Sequence, residues 1–102
     1  MKIVYSVEGI PIRLSAERYH HICSRHPEME GQEEKILETV SNPQYIQKGD
    51  FGEKLSVRFY QETPMREKYL VVVYKEEEKE GFILTAYFTR KPAQWREVLW
   101  RQ

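Results

Sequence analysis

A histidine at the end of a predicted helix is the first residue of this sequence whose type and position suit chemistry. The helix is predicted to begin at the N-cap Ser15 and to run to about Arg25, before Pro27 ends or redirects it. At about 100° per residue, His26 falls on the same apolar side of the helix as Ile22. A histidine there is either a catalytic group or a satisfied core residue that interacts with the last helical carbonyls, and its position leaves both open.

A predicted strand near the C-terminus offers hydroxyl groups on one face. Residues 82–89 alternate, which places Thr85, Tyr87 and Thr89 opposite the more apolar side of the strand. Together with His26, these hydroxyls indicate a polar site. The alternative is a purely structural row, because β-branched and aromatic side chains are common on exposed sheet faces.

Arg58 and Tyr60 form a second candidate pair, on a strand predicted over residues 55–61. They project from one strand face about 6.5 to 7 Å apart, a spacing that could hold one phosphate. The plainer alternative is an ordinary cross-strand or solvated pair.

Nothing in the sequence predicts a metal or a cofactor. His20 and His21 are adjacent and point about 100° apart on a helix, unlike two histidines that bind one metal from a single face. Cys23 lies in the apolar stripe of the helix, where a nucleophilic role is not expected. The sequence contains no glycine-rich phosphate loop, dinucleotide fingerprint or Gly-x-Ser-x-Gly elbow.

Composition predicts a single folded domain in a reducing compartment. The chain has 102 residues, of which 31% are charged and 13% aromatic, and its formal net charge is zero. Neutrality removes any global electrostatic case for nucleic-acid binding, so such a case depends on the distribution of charge. A single cysteine excludes an internal disulfide, and no run approaches the about 20 apolar residues of a membrane span. We therefore expect a cytoplasmic location and no membrane.

The hydrophobic periodicity predicts an α+β domain that occupies residues 1–102. It indicates an N-terminal strand or hairpin, two helices, a curved and mainly antiparallel sheet of about four strands, and a short C-terminal helix. The terminal helix is inferred from Pro92 and from the helical spacing of Trp95, Val98 and Leu99. The predicted elements lie at residues 1–14, 15–25, 32–41, 45–47, 55–61, 68–75, 82–89 and from 92 onward.

Four segments, taken in order, resemble one superfamily. They are Arg25-His-Pro-Glu28, Ile36-Leu-Glu-Thr-Val-Ser-Asn-Pro43, Tyr69-Leu-Val-Val-Val-Tyr74 and Phe82-Ile-Leu-Thr-Ala-Tyr-Phe-Thr89. The chain is similar over roughly residues 10 to 92 to small members of the barnase/EndoU/colicin/RelE-like (BECR) nuclease fold, especially the phage- and mobile-element-associated branches. The resemblance implies a toxin-type endoribonuclease that needs no metal and uses the 2′-hydroxyl to attack the adjacent phosphate, leaving a 2′,3′-cyclic phosphate.

The resemblance also implies roles for individual residues. The catalytic set would be His26, Arg58, Tyr60, Thr85 and Tyr87, with His26 as base or acid and Arg58 as the phosphate clamp. The substrate-binding set would be Lys68, Arg25, Thr89 and Arg90. The partners would be RNA and a cognate antitoxin or immunity protein that covers the Arg58 and Tyr87 face with acidic side chains.

Two alternatives stay open from the sequence. No second histidine lies on the predicted sheet, so an acid/base pair would combine His26 with Tyr60, Tyr87, Lys68 or His20. The chain is also neutral, whereas many toxins of this fold are basic. A non-catalytic protein- or RNA-binding module on the same fold, using exposed aromatics such as Tyr87, Trp95 and Trp100, is the second interpretation.

Overall fold

The computed structural model describes residues 1–102, and they form two α-helices and one seven-stranded sheet. In chain order the elements are β1 (Lys2–Tyr5), β2 (Pro11–Leu14), α1 (Ala16–Arg25), a short 3-10 helix (Pro27–Met29), α2 (Glu33–Ser41), β3 (Tyr45–Lys48), β4 (Lys54–Phe59), β5 (Tyr69–Glu76), β6 (Gly81–Thr89) and β7 (Val98–Arg101). The α+β class, the N-terminal hairpin and the two helices are as predicted.

The sheet has the strand order β1-β2-β6-β5-β4-β3-β7. Every neighbouring pair is antiparallel except β2 and β6, which run parallel through only Ile12↔Gly81 and Arg13↔Phe82. The remaining length of β6 therefore has no strand partner on that side. Helix α1 approaches this free edge, where a guanidinium N–H of Arg18 donates to the carbonyl of Leu84 at 3.4 Å.

Helix α1 begins where its capping residue predicts. The Ser15 hydroxyl accepts the Arg18 N–H at 3.0 Å, which satisfies one of the orphan donors of the first turn. Ile22 anchors the helix in the core with no exposed surface. The N–H of His26 closes the last turn on the Ile22 carbonyl at 2.7 Å, and Pro27 then starts the 3-10 helix.

The two faces of the sheet bury different clusters. The helices cover the first face, where Leu70, Val72 and Tyr74 of β5 are all fully buried. The second face carries a smaller cluster of Leu55, Val57 and Val71, rimmed by partly buried tyrosines. Strand β5 is thus covered on both sides, in keeping with its apolar run Tyr69-Leu-Val-Val-Val-Tyr74.

The sheet is larger than predicted, and the terminal helix is wrong. Seven strands join one sheet instead of about four, because both strands of the N-terminal hairpin join it beside β6 and because β7 extends the other edge beyond β3. The last element is the strand β7, whose backbone pairs with β3 through Tyr45↔Arg101 and Ile46↔Trp100. The helical spacing of Trp95 and Leu99 would favour a helix only if it buried them, but they are 72% and 45% exposed. Backbone pairing with the open edge of β3 therefore decides the conformation of this segment.

The segment between β6 and β7, residues 90–97, crosses the second face. The side-chain amide of Gln47 donates to the Ala93 carbonyl at 2.6 Å, and the Lys48 N–H donates to the Glu97 carbonyl at 2.9 Å. Gln47 is only 3% exposed, so its amide is satisfied by this segment. The second face is therefore covered in part by the segment 90–97, a loop that these hydrogen bonds hold in place, and not by a helix.

Candidate functional site

His26 is held by backbone bonds on both sides. Its N–H caps α1, and its carbonyl accepts the N–H of Met29, which is fully buried at the end of the 3-10 helix. The imidazole is 35% exposed, and its Nδ1 lies 3.7 Å from a carboxylate oxygen of Glu28. A partly exposed histidine near a carboxylate is a candidate for proton transfer.

Tyr87 lies beside His26 on the second face of the sheet. The two ring centroids are 5.9 Å apart, with the ring planes tilted by 36°. Burial raises the pKa of Tyr87, and the positive charge of Arg96 opposes that rise. A tyrosine hydroxyl whose pKa is raised stays protonated at neutral pH, so the Tyr87 hydroxyl is available as a hydrogen-bond donor.

The free half of β6 explains why these two residues meet. Because β2 pairs with β6 only as far as Phe82, α1 fills the edge beyond that point, and its C-terminal end lies beside Tyr87. Thr85 and Thr89 share the strand face of Tyr87, opposite Val73 and Tyr69 of β5. The Thr89 hydroxyl bonds to the backbone of the turn after β6, which is a structural use of that group.

Arg58 and Tyr60 lie on the helix side of the sheet, away from Tyr87. Arg58 is paired with Leu70, a residue of the helix-side core, and its guanidinium donates to the Asn42 carbonyl at 2.8 Å. Its Nε lies 3.7 Å from a carboxylate oxygen of Glu38. The cation of Arg58 is therefore partly occupied within the chain.

Tyr60 is held by the same carboxylate. Its hydroxyl donates to Glu38 at 2.7 Å and lies 3.2 Å from the hydroxyl of Thr39. Burial is the first cause that raises its pKa far above that of a free tyrosine. The Arg58 guanidinium stands 5.5 Å from the Tyr60 ring, so the two residues do share a strand face, as predicted.

The remaining predicted residues are dispersed. Lys68 donates to the Gln61 carbonyl at 2.6 Å, and Arg90 pairs with Glu67 at 3.1 Å. Arg25 and His20 are exposed on α1. The structure thus brings together His26 and Tyr87, with Thr85 on the same strand face as Tyr87, and keeps Arg58 and Tyr60 apart from them.

A basic cleft on the second face contains none of the predicted site residues except Arg90. It has a volume of about 550 Å³ and is lined by Tyr45, Tyr69, Arg90, Lys91 and Arg101, together with Pro92 and three glutamines. No Asp or Glu side chain lines it. The run Arg90-Lys91 was a visible signal, but Arg101 joins it only because β7 pairs with β3.

Arg96 was not among the predicted site residues either. Its side chain is 17% exposed, pairs with Asp50 at 3.1 Å and stacks 4.3 Å from the ring of Trp95. No group of three or more potential ligand side chains is arranged to hold a metal ion. No helix in the chain has the length and apolar character that crossing a bilayer requires.

Comparisons with protein-family models, with curated proteins and with solved structures found no match to this chain.

Proposed function

We propose that the chain is a metal-independent endoribonuclease whose reacting groups are His26 and Tyr87. The observation that carries the proposal is their contact at the open edge of β6, with the imidazole beside Glu28 and partly exposed. It agrees with the resemblance to the BECR nuclease fold, in which a sheet face and the end of a preceding helix would form the site.

The reaction needs two proton transfers and a counter-charge. The 2′-oxygen bonds to the adjacent phosphorus, the bond from phosphorus to the 5′-oxygen breaks, and a 2′,3′-cyclic phosphate remains. A base takes the 2′-hydroxyl proton, and an acid protonates the leaving 5′-oxygen. His26 suits the first task. Tyr87, protonated at neutral pH, suits donation to the phosphate or to the leaving oxygen, and the charge of Arg96 is close enough to act on Tyr87.

Among the four partners left open for His26, contact favours Tyr87. Tyr60 is bonded to Glu38, and Lys68 to a backbone carbonyl. His20 is exposed on α1. The proposal therefore assigns Arg58 and Tyr60 to holding α2 against the sheet, and the predicted phosphate clamp loses its support.

The test is RNA cleavage by the purified chain in EDTA, with the products analysed for 2′,3′-cyclic phosphate ends. His26→Ala should lower the cleavage rate about 10²-fold or more, as expected for loss of an acid/base group, and Tyr87→Phe should also lower it. His21→Ala is the matched control, because His21 is exposed on α1 and should leave the rate unchanged. Full activity of His26→Ala, or an equal loss in His21→Ala, would refute the proposal.

One observation favours a second function, a non-catalytic binding module. The resemblance assigns cation and hydroxyl roles to four residues, and two of them, Arg58 and Tyr60, contact Glu38 on the helix side of the sheet. They lie on the face opposite Tyr87. RNA binding without cleavage across tRNA, rRNA and mRNA would support the module and exclude the nuclease.

The proposal extends to cellular context. A cytoplasmic nuclease that attacks host RNA needs restraint, so we propose a small cognate antitoxin or immunity protein as its partner. Arg58 and Tyr87 occupy opposite faces of the sheet, so the partner would cover only the Tyr87 face, presenting acidic side chains to its cations.

A further inference from the structure

The basic cleft on the second face has the composition of a site for a polyanion. Three cationic side chains line it and no Asp or Glu side chain does, although the chain as a whole carries 16 acidic and 16 basic residues; of the three, Arg90 is paired with Glu67. Lys91 and Arg101 take part in none of the seven ion pairs of the chain, and both are exposed. Such unpaired positive charge attracts phosphate.

Aromatic rings stand among these cations. Tyr45 and Tyr69 are half-buried in the cleft, and the Arg101 guanidinium lies 5.5 Å from the Tyr45 ring. The Tyr69 ring is held edge-to-face by Phe59, with centroids 5.3 Å apart. Tyrosine and arginine planes beside phosphate-binding cations are the elements that bind single-stranded nucleic acid.

The walls of the cleft are fixed before any ligand binds. Tyr45 and Arg101 are opposite each other in the pairing of β3 with β7. The segment that supplies Lys91 is tied down by the bond from Gln47 to the Ala93 carbonyl. Because these groups are already ordered, binding costs little conformational entropy, and even a small cleft can bind a ligand specifically.

Tyr45 of the cleft and the proposed reacting residue Tyr87 lie on the same face of the sheet. Tyr87, Val71, Val57 and Tyr45 are successive partners across β6, β5, β4 and β3, so Tyr87 and Tyr45 stand in one row on one face. Three strand spacings separate them, about 14 Å. The two valines between them are buried, so RNA that reaches both tyrosines would pass outside the segment 90–97, which covers part of this face.

We propose that this cleft binds single-stranded RNA beyond the cleaved bond, with a phosphate between Lys91 and Arg101 and a base stacked against Tyr45. The proposal rests on the proposed ribonuclease function for the identity of the ligand. Its charge and stacking groups are separate from His26 and Tyr87, so binding can be measured without cleavage.

The test uses the full chain carrying His26→Ala and a fluorescent single-stranded RNA of about 12 nucleotides, within the usual site sizes. Fluorescence anisotropy gives the Kd. Lys91→Glu should weaken binding about tenfold, and the slope of log affinity against log salt should become shallower by about 0.7 for one lost phosphate contact. Lys79→Glu, the same charge change in the exposed loop between β5 and β6, is the matched control and should have little effect.

Stacking is tested separately with Tyr45→Leu, which keeps an apolar side chain. It should weaken RNA binding about tenfold, whereas Tyr5→Leu, at a tyrosine 59% exposed on β1, should not. Circular dichroism and thermal unfolding establish that each variant is folded. A cleft variant that fails to fold is replaced by Arg101→Gln, which removes one exposed cation.

The outcomes separate the two proposals. If wild-type chain cleaves RNA but the Lys91 and Tyr45 variants bind like their controls, the cleft proposal is wrong and the nuclease stands. If the cleft variants weaken binding and no cleavage is seen, the cleft stands and the nuclease fails. Binding of single-stranded DNA or of an acidic peptide as tight as that of RNA would overturn the assignment to RNA.

Discussion

Glu38 decides the environment of two residues that the sequence offers for catalysis. One of its carboxylate oxygens accepts the Tyr60 hydroxyl at 2.7 Å and lies 3.7 Å from Nε of Arg58. A phosphate that approached Arg58 would have to compete with this carboxylate and with the Asn42 carbonyl. The geometry therefore favours a structural role for the pair.

This role predicts a loss of stability without a comparable loss of cleavage. Tyr60→Phe removes the bond to Glu38 and should lower the free energy of unfolding by about 1 kcal/mol, as should Arg58→Ala. Urea denaturation measures the stability, and the cleavage assay in EDTA measures the activity. A 10²-fold loss of cleavage in folded Arg58→Ala would return Arg58 to the catalytic set.

Tyr74 is a buried tyrosine that should make the free energy of unfolding depend on pH in the alkaline range. It has no exposed surface, and burial, the first cause, raises its pKa to about 12 from the ordinary 10.0. Above pH 10 the unfolded chain loses this proton while the folded chain keeps it, so the free energy of unfolding falls as pH rises. The contribution is on the order of 3 kcal/mol by pH 12.

Tyr74→Phe should accordingly flatten the loss of stability between about pH 10 and pH 12. The measurement is the denaturation midpoint of wild type and variant across that range. Tyr5→Phe, at an exposed tyrosine, is the control and should keep the wild-type slope. Identical slopes for wild type and Tyr74→Phe would contradict the assignment.

At the scale of elements, α1 positions His26 and depends on its N-cap. The Ser15 hydroxyl binds the Arg18 N–H, and Arg18 in turn reaches the Leu84 carbonyl on the free edge of β6. The cap thus stabilises the helix whose other end carries His26. Loss of the cap should therefore also weaken the packing of α1 against the free edge of β6.

Ser15→Ala should cost about 1 kcal/mol of stability, the usual value of an N-cap. Ser24→Ala is the matched control, because Ser24 is exposed and its hydroxyl bonds only to the His21 carbonyl of its own helix. Thermal unfolding compares the two. An equal effect of both substitutions would show that the cap does not stabilise α1.

At the scale of the whole molecule, the net charge is zero, but the positive and negative side chains are unevenly distributed over the surface. The cleft contains Arg90, Lys91 and Arg101, whereas the end of β5 and the loop after it bring Glu76, Glu77 and Glu78 beside Glu8. A neutral nuclease would bind RNA through a few local cations and not through general basicity.

Expression of the chain alone in cells tests the toxin interpretation. We expect growth arrest by the wild-type chain and relief of that arrest by His26→Ala, because arrest would require cleavage. His21→Ala should arrest growth as wild type does. Growth unaffected by the wild-type chain, at a level of protein verified by immunoblot, would contradict a toxin function and favour a binding role.

Local sequence patterns determined the parts of the fold that rest on neighbours in the chain. Ser15 and Pro27 bound α1 because capping and proline geometry act within a few residues. The alternation over 82–89 placed Thr85 and Tyr87 on one face, since side-chain direction along a strand has a period of two.

The tertiary structure alone decided what lies opposite each face and what the last residues become. Alternation on β4 put Arg58 and Tyr60 together, but only the packing of α2 brought Glu38 to them. Residues 98–101 form a strand because the edge of β3, some fifty residues earlier, offers unpaired backbone groups. Strands that pair across a long stretch of sequence produce no local periodicity that reveals their partner. The convergence of β3, β5 and β7 around the second-face cleft therefore follows only from the tertiary structure.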